Sequence, residues 1–177
     1  MVAIGSRIAV IGSSGAGKST FSRLLGEITG LPVVHLDRLY WHPGWVQTPR
    51  EQWVEAQRET IEQDKWVIDG NYGSTMDMRL EAADTVIFLD FPRTLCLVRA
   101  LKRRVQYHGR TRPDLGEGCE EKMDLEFLKW IWDFPKRERG NILSRLDAAS
   151  QRGKAIVHLR SPRQTDEYLR SLRERES

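Results

Sequence analysis

Residues 12–19, Gly12-Ser13-Ser14-Gly15-Ala16-Gly17-Lys18-Ser19, constrain this chain more than any other stretch. They fit the G-x-x-x-x-G-K-[ST] pattern of a phosphate-cradling P-loop. The flanks agree with that reading. Ile8-Ala9-Val10-Ile11 before the loop reads as a buried strand, and Ser19-Thr20-Phe21-Ser22-Arg23-Leu24-Leu25 after it reads as the start of a helix. Glycines let the backbone turn tightly and bring its N–H groups against phosphate oxygens. The helix N-terminus adds partial positive charge. The backbone from Ser13 to Thr20 is therefore the expected triphosphate cradle, with Lys18 reaching the β- and γ-phosphates and Ser19 supplying a hydroxyl to Mg²⁺.

Five short apolar runs, at 7–11, 31–36, 65–68, 85–89 and 155–159, alternate with helix-like stretches. Runs this apolar predict strands covered on both faces, as in a parallel sheet of an α/β protein. Thr48-Pro49-Arg50-Glu51 predicts a helix N-terminus, with the helix running to about 63. A helix is expected after Phe91-Pro92. Gly109, Pro113, Gly116 and Gly118 then predict a loop, and a second helical stretch begins near 120. Pro135 is expected to kink or split that stretch. Ser161-Pro162-Arg163 reads as the cap of a last helix. The 177 residues hold no repeat or linker, and predict a single domain over 1–177.

Composition excludes some classes. No apolar run approaches the roughly 18–20 residues of a membrane span. The first residues lack the leader pattern of a signal peptide, so none is expected. Cys96 and Cys119 are the only cysteines and form no C-x-x-C pair, which fits a reducing cytoplasm. His35, His108 and His158 have no metal-ligand spacing, so no zinc site is expected. The net charge is only +3. However, Arg93, Arg99, Lys102, Arg103, Arg104, Arg110 and Arg112 form a basic stretch without an acidic residue. Such a stretch wants an anion, whether nucleotide or nucleic-acid phosphate.

Ligands in open parallel sheets bind at the carboxyl ends of strands. Asp37 and Asp69 both follow predicted strands at that edge. Either could hold Mg²⁺ through water or orient an acceptor hydroxyl; either could instead cap a helix or turn. Asp90 competes for the metal role. Arg99 and Arg103 stand at i and i+4, so they share a helix face that could cover a base or phosphates, or simply meet solvent. Arg137 and Arg139 lie beyond Pro135 and could approach from the other side. Tyr40, Trp41, His42, Pro43, Gly44 and Trp45 form an aromatic segment that reads equally as acceptor pocket or satellite core. Trp130 and Trp132 read as helix packing.

These stretches together resemble the P-loop nucleoside and nucleotide kinases related to adenylate kinase. More narrowly, the chain resembles the bacterial DNA topology modulation proteins. The resemblance rests on 12–19, Leu36-Asp37-Arg38-Leu39-Tyr40-Trp41, Asp69-Gly70-Asn71-Tyr72, 99–104 and Arg110-Thr111-Arg112-Pro113-Asp114. It implies a three-layer α/β/α P-loop NTPase fold with a five-stranded parallel sheet in the order 2-3-1-4-5. It also implies an acceptor-binding segment at about 37–64 and a short lid at about 108–120.

The activity it implies is ATP- and Mg²⁺-dependent phosphoryl transfer to a small-molecule acceptor. Catalysis would fall to Lys18, Asp37, Arg103 and Arg137, and the metal to Ser19, Asp37 and Asp69. Arg99 would pack on the base and Arg160 would contact its edge. The chain departs from adenylate kinases after Asp69-Gly70. Those enzymes continue Phe-Pro-Arg, with an arginine for the AMP phosphate, whereas here Asn71-Tyr72-Gly73 follows and the next arginine is Arg79. The topology-modulation resemblance leaves nucleotide-dependent DNA binding as a second reading.

Overall fold

The structure, a computed structural model, describes residues 4–107, 114–116, 118, 119 and 124–176. Arg110 and Arg112, with most of the expected lid, lie outside the described residues.

The sheet is built from β1 (Arg7–Gly12), β2 (Val33–His35), β5 (Trp66–Asp69), β6 (Thr85–Leu89) and β7 (Ala155–Leu159). Its order is β2-β5-β1-β6-β7, and every pairing is parallel. Counted along the chain among these five alone, that order is 2-3-1-4-5. Between β2 and β5 lie α2 (Leu36–Tyr40), a hairpin of β3 (Trp41–His42) and β4 (Val46–Gln47), and α3 (Arg50–Ile61). The remaining helices are α1 (Lys18–Thr29), α4 (Met76–Ala82), α5 (Arg93–Gln106), α6 (Leu125–Arg137), α7 (Arg139–Gln151) and α8 (Pro162–Glu176).

Strand side chains alternate between two cores, as a period of two requires. Ile8, Val10, Val67, Ile87 and Leu89 face one core with Phe21, Leu25, Cys96, Ala100, Ile131 and Leu169 from α1, α5, α6 and α8. Ala9, Ile11, Trp66, Ile68, Val86 and Phe88 face the other, with Trp53, Leu80, Ile142 and Leu146 from α3, α4 and α7. Each large aliphatic or aromatic side chain so buried contributes about 1.5–3 kcal/mol of burial free energy. The result is the expected three-layer α/β/α arrangement.

Several local expectations need correction. The second strand stops at His35 because Leu36 is drawn into α2, where it is fully buried. Thr48 does not cap α3. Its hydroxyl faces the carbonyls of Leu39 and Tyr40 instead, closing the hairpin. Pro135 sits inside α6, and the break falls three residues later at Glu138, between α6 and α7. Cys119 is buried with its Sγ 3.1 Å from the His42 carbonyl, and Gly44 N–H donates to the Gly118 carbonyl. The hairpin is thus held from the chain that precedes α6. Ser161 does cap α8, its Oγ accepting from Gln164 N–H.

Register also creates two charged clusters at the carboxyl edge of the sheet. His35 on β2 pairs with Asp69 on β5, so their side chains are neighbours, with Nδ1 2.6 Å from Oδ2. Burial alone would lower the His35 pKa, but the hydrogen bond and charge of Asp69 overcome it and raise it. Just beyond β6, Asp90 accepts from Arg139 Nε at 2.9 Å and lies 2.8 Å from His158 Nε2. Burial would raise the Asp90 pKa, yet those two partners hold it below the usual carboxylate value. Asp90 is thereby committed to joining β6, β7 and α7.

Two outcomes follow from these clusters. Asp90→Asn should cost roughly 1–3 kcal/mol near neutral pH. A depressed carboxylate contributes stability above its unfolded pKa and loses it as pH falls. The deficit, measured by urea unfolding, should therefore shrink on acidification; a constant deficit would contradict an ionic role. The His35 contribution has the opposite sign. It is complete below the unfolded histidine value of about 6.5 and is lost as pH rises through the raised folded value. Wild type should accordingly lose stability relative to His35→Gln as pH climbs from about 6 to 9.

Candidate active site

The loop between β1 and α1 is a preformed cradle. Gly15 and Gly17 have φ of 80° and 90°, in the left-handed region that glycine tolerates. A Cβ on Gly15 would lie 2.1 Å from the Cys96 carbonyl oxygen, so α5 packs directly against the loop. Gly12 N–H donates to Asn71 Oδ1 at 2.9 Å, Arg99 Nη1 donates to the Ala16 carbonyl at 3.3 Å, and Lys18 Nζ donates to the Ser13 carbonyl at 3.2 Å. The first N–H groups of α1 have no carbonyl four residues earlier within the helix. A convergent set of backbone donors with a lysine folded over it fits a polyphosphate.

Lys18 sits among opposing charges. Burial pushes its pKa down, and the nearby Asp37 and Asp69 carboxylates act the other way. Strand parity explains the position of Asp69. It shares with Val67 the β5 face that looks toward α1, while Trp66 and Ile68 look away. Asp69 is buried and bonded to His35. Asp37, in the first turn of α2, accepts from the Tyr72 hydroxyl at 2.7 Å. Burial, and then the Asp37 charge, hold the Tyr72 phenol well above its ordinary value, so it stays a donor.

Two cavities meet at this point. The first, about 510 Å³, runs along Ser14, Gly15, Ala16, Gly17, Lys18, Ser19 and Thr20. Phe91, Arg99, Tyr107, Pro162 and Thr165 also line it. The second, about 710 Å³, opens between the hairpin, the loop after β5 and α6, against Trp41, Trp45, Tyr72 and Trp130. Ser14, Lys18, Asp37, Gly70 and Arg103 line both. The molecule therefore has a loop-side cleft and an aromatic cleft sharing one charged junction.

Most of the expected residues converge here. Lys18, Asp37 and Arg103 stand at the junction; Ser19, Arg99 and Asp69 line the loop-side cleft. Gly12 and Ser13 are buried behind the loop. Arg137 and Arg160 are not brought in. Arg137 is mostly exposed, 3.9 Å from Asp133 on its own helix, and its neighbour Arg139 is held by Asp90. Arg160 is exposed, with its backbone N–H donated to Gln164 Oε1; Pro162 lines the cleft in its place. The aromatic segment divides between a packed cluster and the wall of a cleft. Tyr40 and Trp53 pack edge-on 4.9 Å apart and meet Tyr72 at 4.7 and 4.8 Å, while Trp41 and Trp45 line the aromatic cleft. Trp130 lines that cleft too, whereas Trp132 lies under the Arg93 guanidinium at 3.8 Å.

Sequence reading missed Asn71, Tyr72 and Arg79 as parts of the site. The Arg79 guanidinium is 1% exposed. It donates to Gln57 Oε1, Thr75 Oγ1 and the carbonyls of Gly70 and Asn71, fixing the turn after β5. Burial lowers its pKa to about 9. The one available signal was the place of Asn71-Tyr72 just past a strand end adjoining the loop strand.

No protein-family model matches the chain, and no curated protein matches it in sequence. Solved structures do match in fold. Shikimate kinase from Acinetobacter baumannii, in complex with shikimate, superposes with a TM-score of 0.59 at 16% identity, over 95% of this chain and 90% of that one. Shikimate kinase from Bacteroides thetaiotaomicron gives 0.57 at 18%, over 96% and 97%. A gluconokinase from Sinorhizobium meliloti gives 0.52 at 18%, over 97% and 94%. The chain has the fold of P-loop kinases.

Proposed function

We propose that the protein is an ATP- and Mg²⁺-dependent phosphotransferase acting on a small hydroxylated acceptor. The observation that carries this reading is the meeting of two clefts at Lys18, Asp37 and Arg103. A simple hydrolase needs no second cleft beside its phosphate loop. The names of the similar structures, shikimate kinase and gluconokinase, support small-molecule phosphorylation.

The loop-side cleft takes the nucleotide. Backbone N–H groups from Ser13 to Thr20 and the Lys18 ammonium hold the phosphates, and Arg99 covers the nucleotide from α5. Ser19 and, through water, Asp69 and Asp37 would hold Mg²⁺, whose charge offsets that of the phosphate oxygens. The acceptor hydroxyl lies toward Asp37 from the aromatic cleft. Its oxygen forms a bond to the γ-phosphorus, the bond to the β–γ bridging oxygen breaks, and ADP keeps that electron pair. Asp37 takes the hydroxyl proton, while Lys18 and Arg103 hold the oxygens on which charge is spread. Tyr72 keeps the Asp37 carboxylate turned to the junction. A single domain with a lid at about 108–120, working in the cytoplasm where ATP and free thiols coexist, fits this activity.

Nucleotide-dependent DNA binding, as in the topology-modulation resemblance, draws on the basic stretch 93–112. Two of its arginines, Arg99 and Arg103, line the nucleotide cleft, and Arg93 covers Trp132. That use of the charge favours the kinase reading. DNA binding at low salt that collapses as salt rises would restore the other.

The test is ATP consumption with Mg²⁺ across nucleosides, nucleotides, shikimate, gluconate and other hydroxylated metabolites. Acceptor-dependent turnover is expected in wild type. Lys18→Ala should lower it by about 10²–10³-fold or more with unfolding unchanged, and Asp37→Asn by a similar factor. Undiminished turnover in a folded Lys18→Ala protein would sink the assignment.

A further inference from the structure

The charges of the aromatic cleft are unevenly placed. Among the described residues that line it, the only cations are Lys18 and Arg103. Both stand at the junction, where they also line the loop-side cleft. Away from the junction the charged groups are carboxylates, Asp124 and Glu138. Asp124 caps α6, accepting from Phe127 N–H at 2.7 Å. Glu138 is half-buried at the break between α6 and α7, and among the described residues no side chain pairs with its carboxylate. The cleft is also lined by Trp41, Trp45, Tyr72, Phe127 and Trp130, the last two on α6 between Asp124 and Glu138.

From this arrangement we infer that the acceptor is an uncharged or cationic alcohol carrying a flat ring, not a carboxylate or a phosphate ester. The inference rests on the phosphotransferase reading for the word acceptor, but its physical content is the selectivity of the cleft. Aromatic walls take a planar ring by stacking and apolar contact. An anionic tail needs arginine-type donors, best in a bidentate fork. Here it would meet carboxylates, and like charges across an interface are unfavourable. A protonated amine or ring amino group near Glu138 donates a charge-assisted hydrogen bond to its carboxylate.

Glu138, between α6 and α7, lines the cleft together with Ile142 four residues on, as i and i+4 positions of a helical path share a face. A carboxylate at the start of α7 also complements the helix dipole. That role alone predicts no effect on ligand charge preference, which separates the two explanations.

The test uses the full chain with Mg²⁺ and ADP, reading tryptophan fluorescence during titration. Phenylalaninol (cationic) and adenosine (uncharged) are set against phenyllactate and AMP (anionic), which keep a ring and hydroxyls. Phenylalaninol and adenosine should bind at least about tenfold more tightly than their anionic counterparts. Glu138→Ala should cut the preference for phenylalaninol over phenyllactate by about tenfold, the loss of one charge-assisted hydrogen bond. Trp45→Ala should weaken both ring ligands alike and leave that ratio standing.

Tighter binding of the anionic probes, an unchanged ratio in Glu138→Ala, or no response to any probe would each overturn the inference. ATP consumption run beside the titration keeps the two readings apart. Preferential phosphorylation of AMP or phenyllactate would leave the kinase reading intact and defeat this one. Binding of the ring alcohols, with no ATP consumption for any acceptor, would defeat the kinase reading and support this one.

Discussion

A glycine-rich loop binds phosphate only if something outside the loop holds its shape. Glycines permit the left-handed turns at Gly15 and Gly17, but the same freedom makes the unliganded backbone costly to order. Here three neighbours supply the restraint. Asn71 takes the N–H of Gly12, Arg99 takes the carbonyl of Ala16, and the backbone of α5 closes on Gly15. They come from two parts of the chain, the turn after β5 and α5, and both belong to the candidate site. Holding the loop and furnishing the site are therefore one construction: α5 presents Arg99 and Arg103 along the same side on which Cys96 and Ala100 are buried in the core.

The turn after β5 depends on a second restraint, the buried guanidinium of Arg79. Its partners are an amide oxygen, a hydroxyl and two main-chain carbonyls. A cation at 1% exposure is costly unless hydrogen-bonded, and burial brings it down to about 9. What it stabilises is the path of Gly70 and Asn71, and so the direction in which Tyr72 leaves the sheet, at a φ of 40°. Tyr72 in turn fixes Asp37. A residue with no exposure to either cleft thus sets the junction at two removes.

The strands were legible because a parallel sheet buried on both faces leaves continuous apolar runs, and the loop was legible because its chemistry tolerates few alternatives. The order of the strands came from the family resemblance rather than from periodicity, whereas the place of Asp37 at the sheet edge followed from its position just after a predicted strand. What escaped was set by tertiary structure. The two-residue strands of the hairpin have no period to detect, and only the closure of Thr48 onto Leu39 and Tyr40 defines them. The bond between His35 and Asp69 exists because β2 and β5 pair in one register, a fact absent from either segment. Arg137, expected at the site, stays exposed beside Asp133 on its own helix, and Arg139 pairs with Asp90 just beyond β6, so neither lines a cleft.

Basicity is concentrated in one stretch of this chain. Seven cations without an acid lie over 93–112. The five on α5 diverge. Arg99 and Arg103 turn inward to the clefts, Arg93 lies over Trp132, and Lys102 meets solvent. Nucleic-acid binding by counterion release needs cations spread over a common surface at phosphate spacing. A nucleotide needs a few cations converging on one point. Arg99, Arg103 and Lys18 all line the loop-side cleft. Among the described residues, the aromatic cleft adds the carboxylates of Asp124 and Glu138 and no cation beyond Lys18 and Arg103.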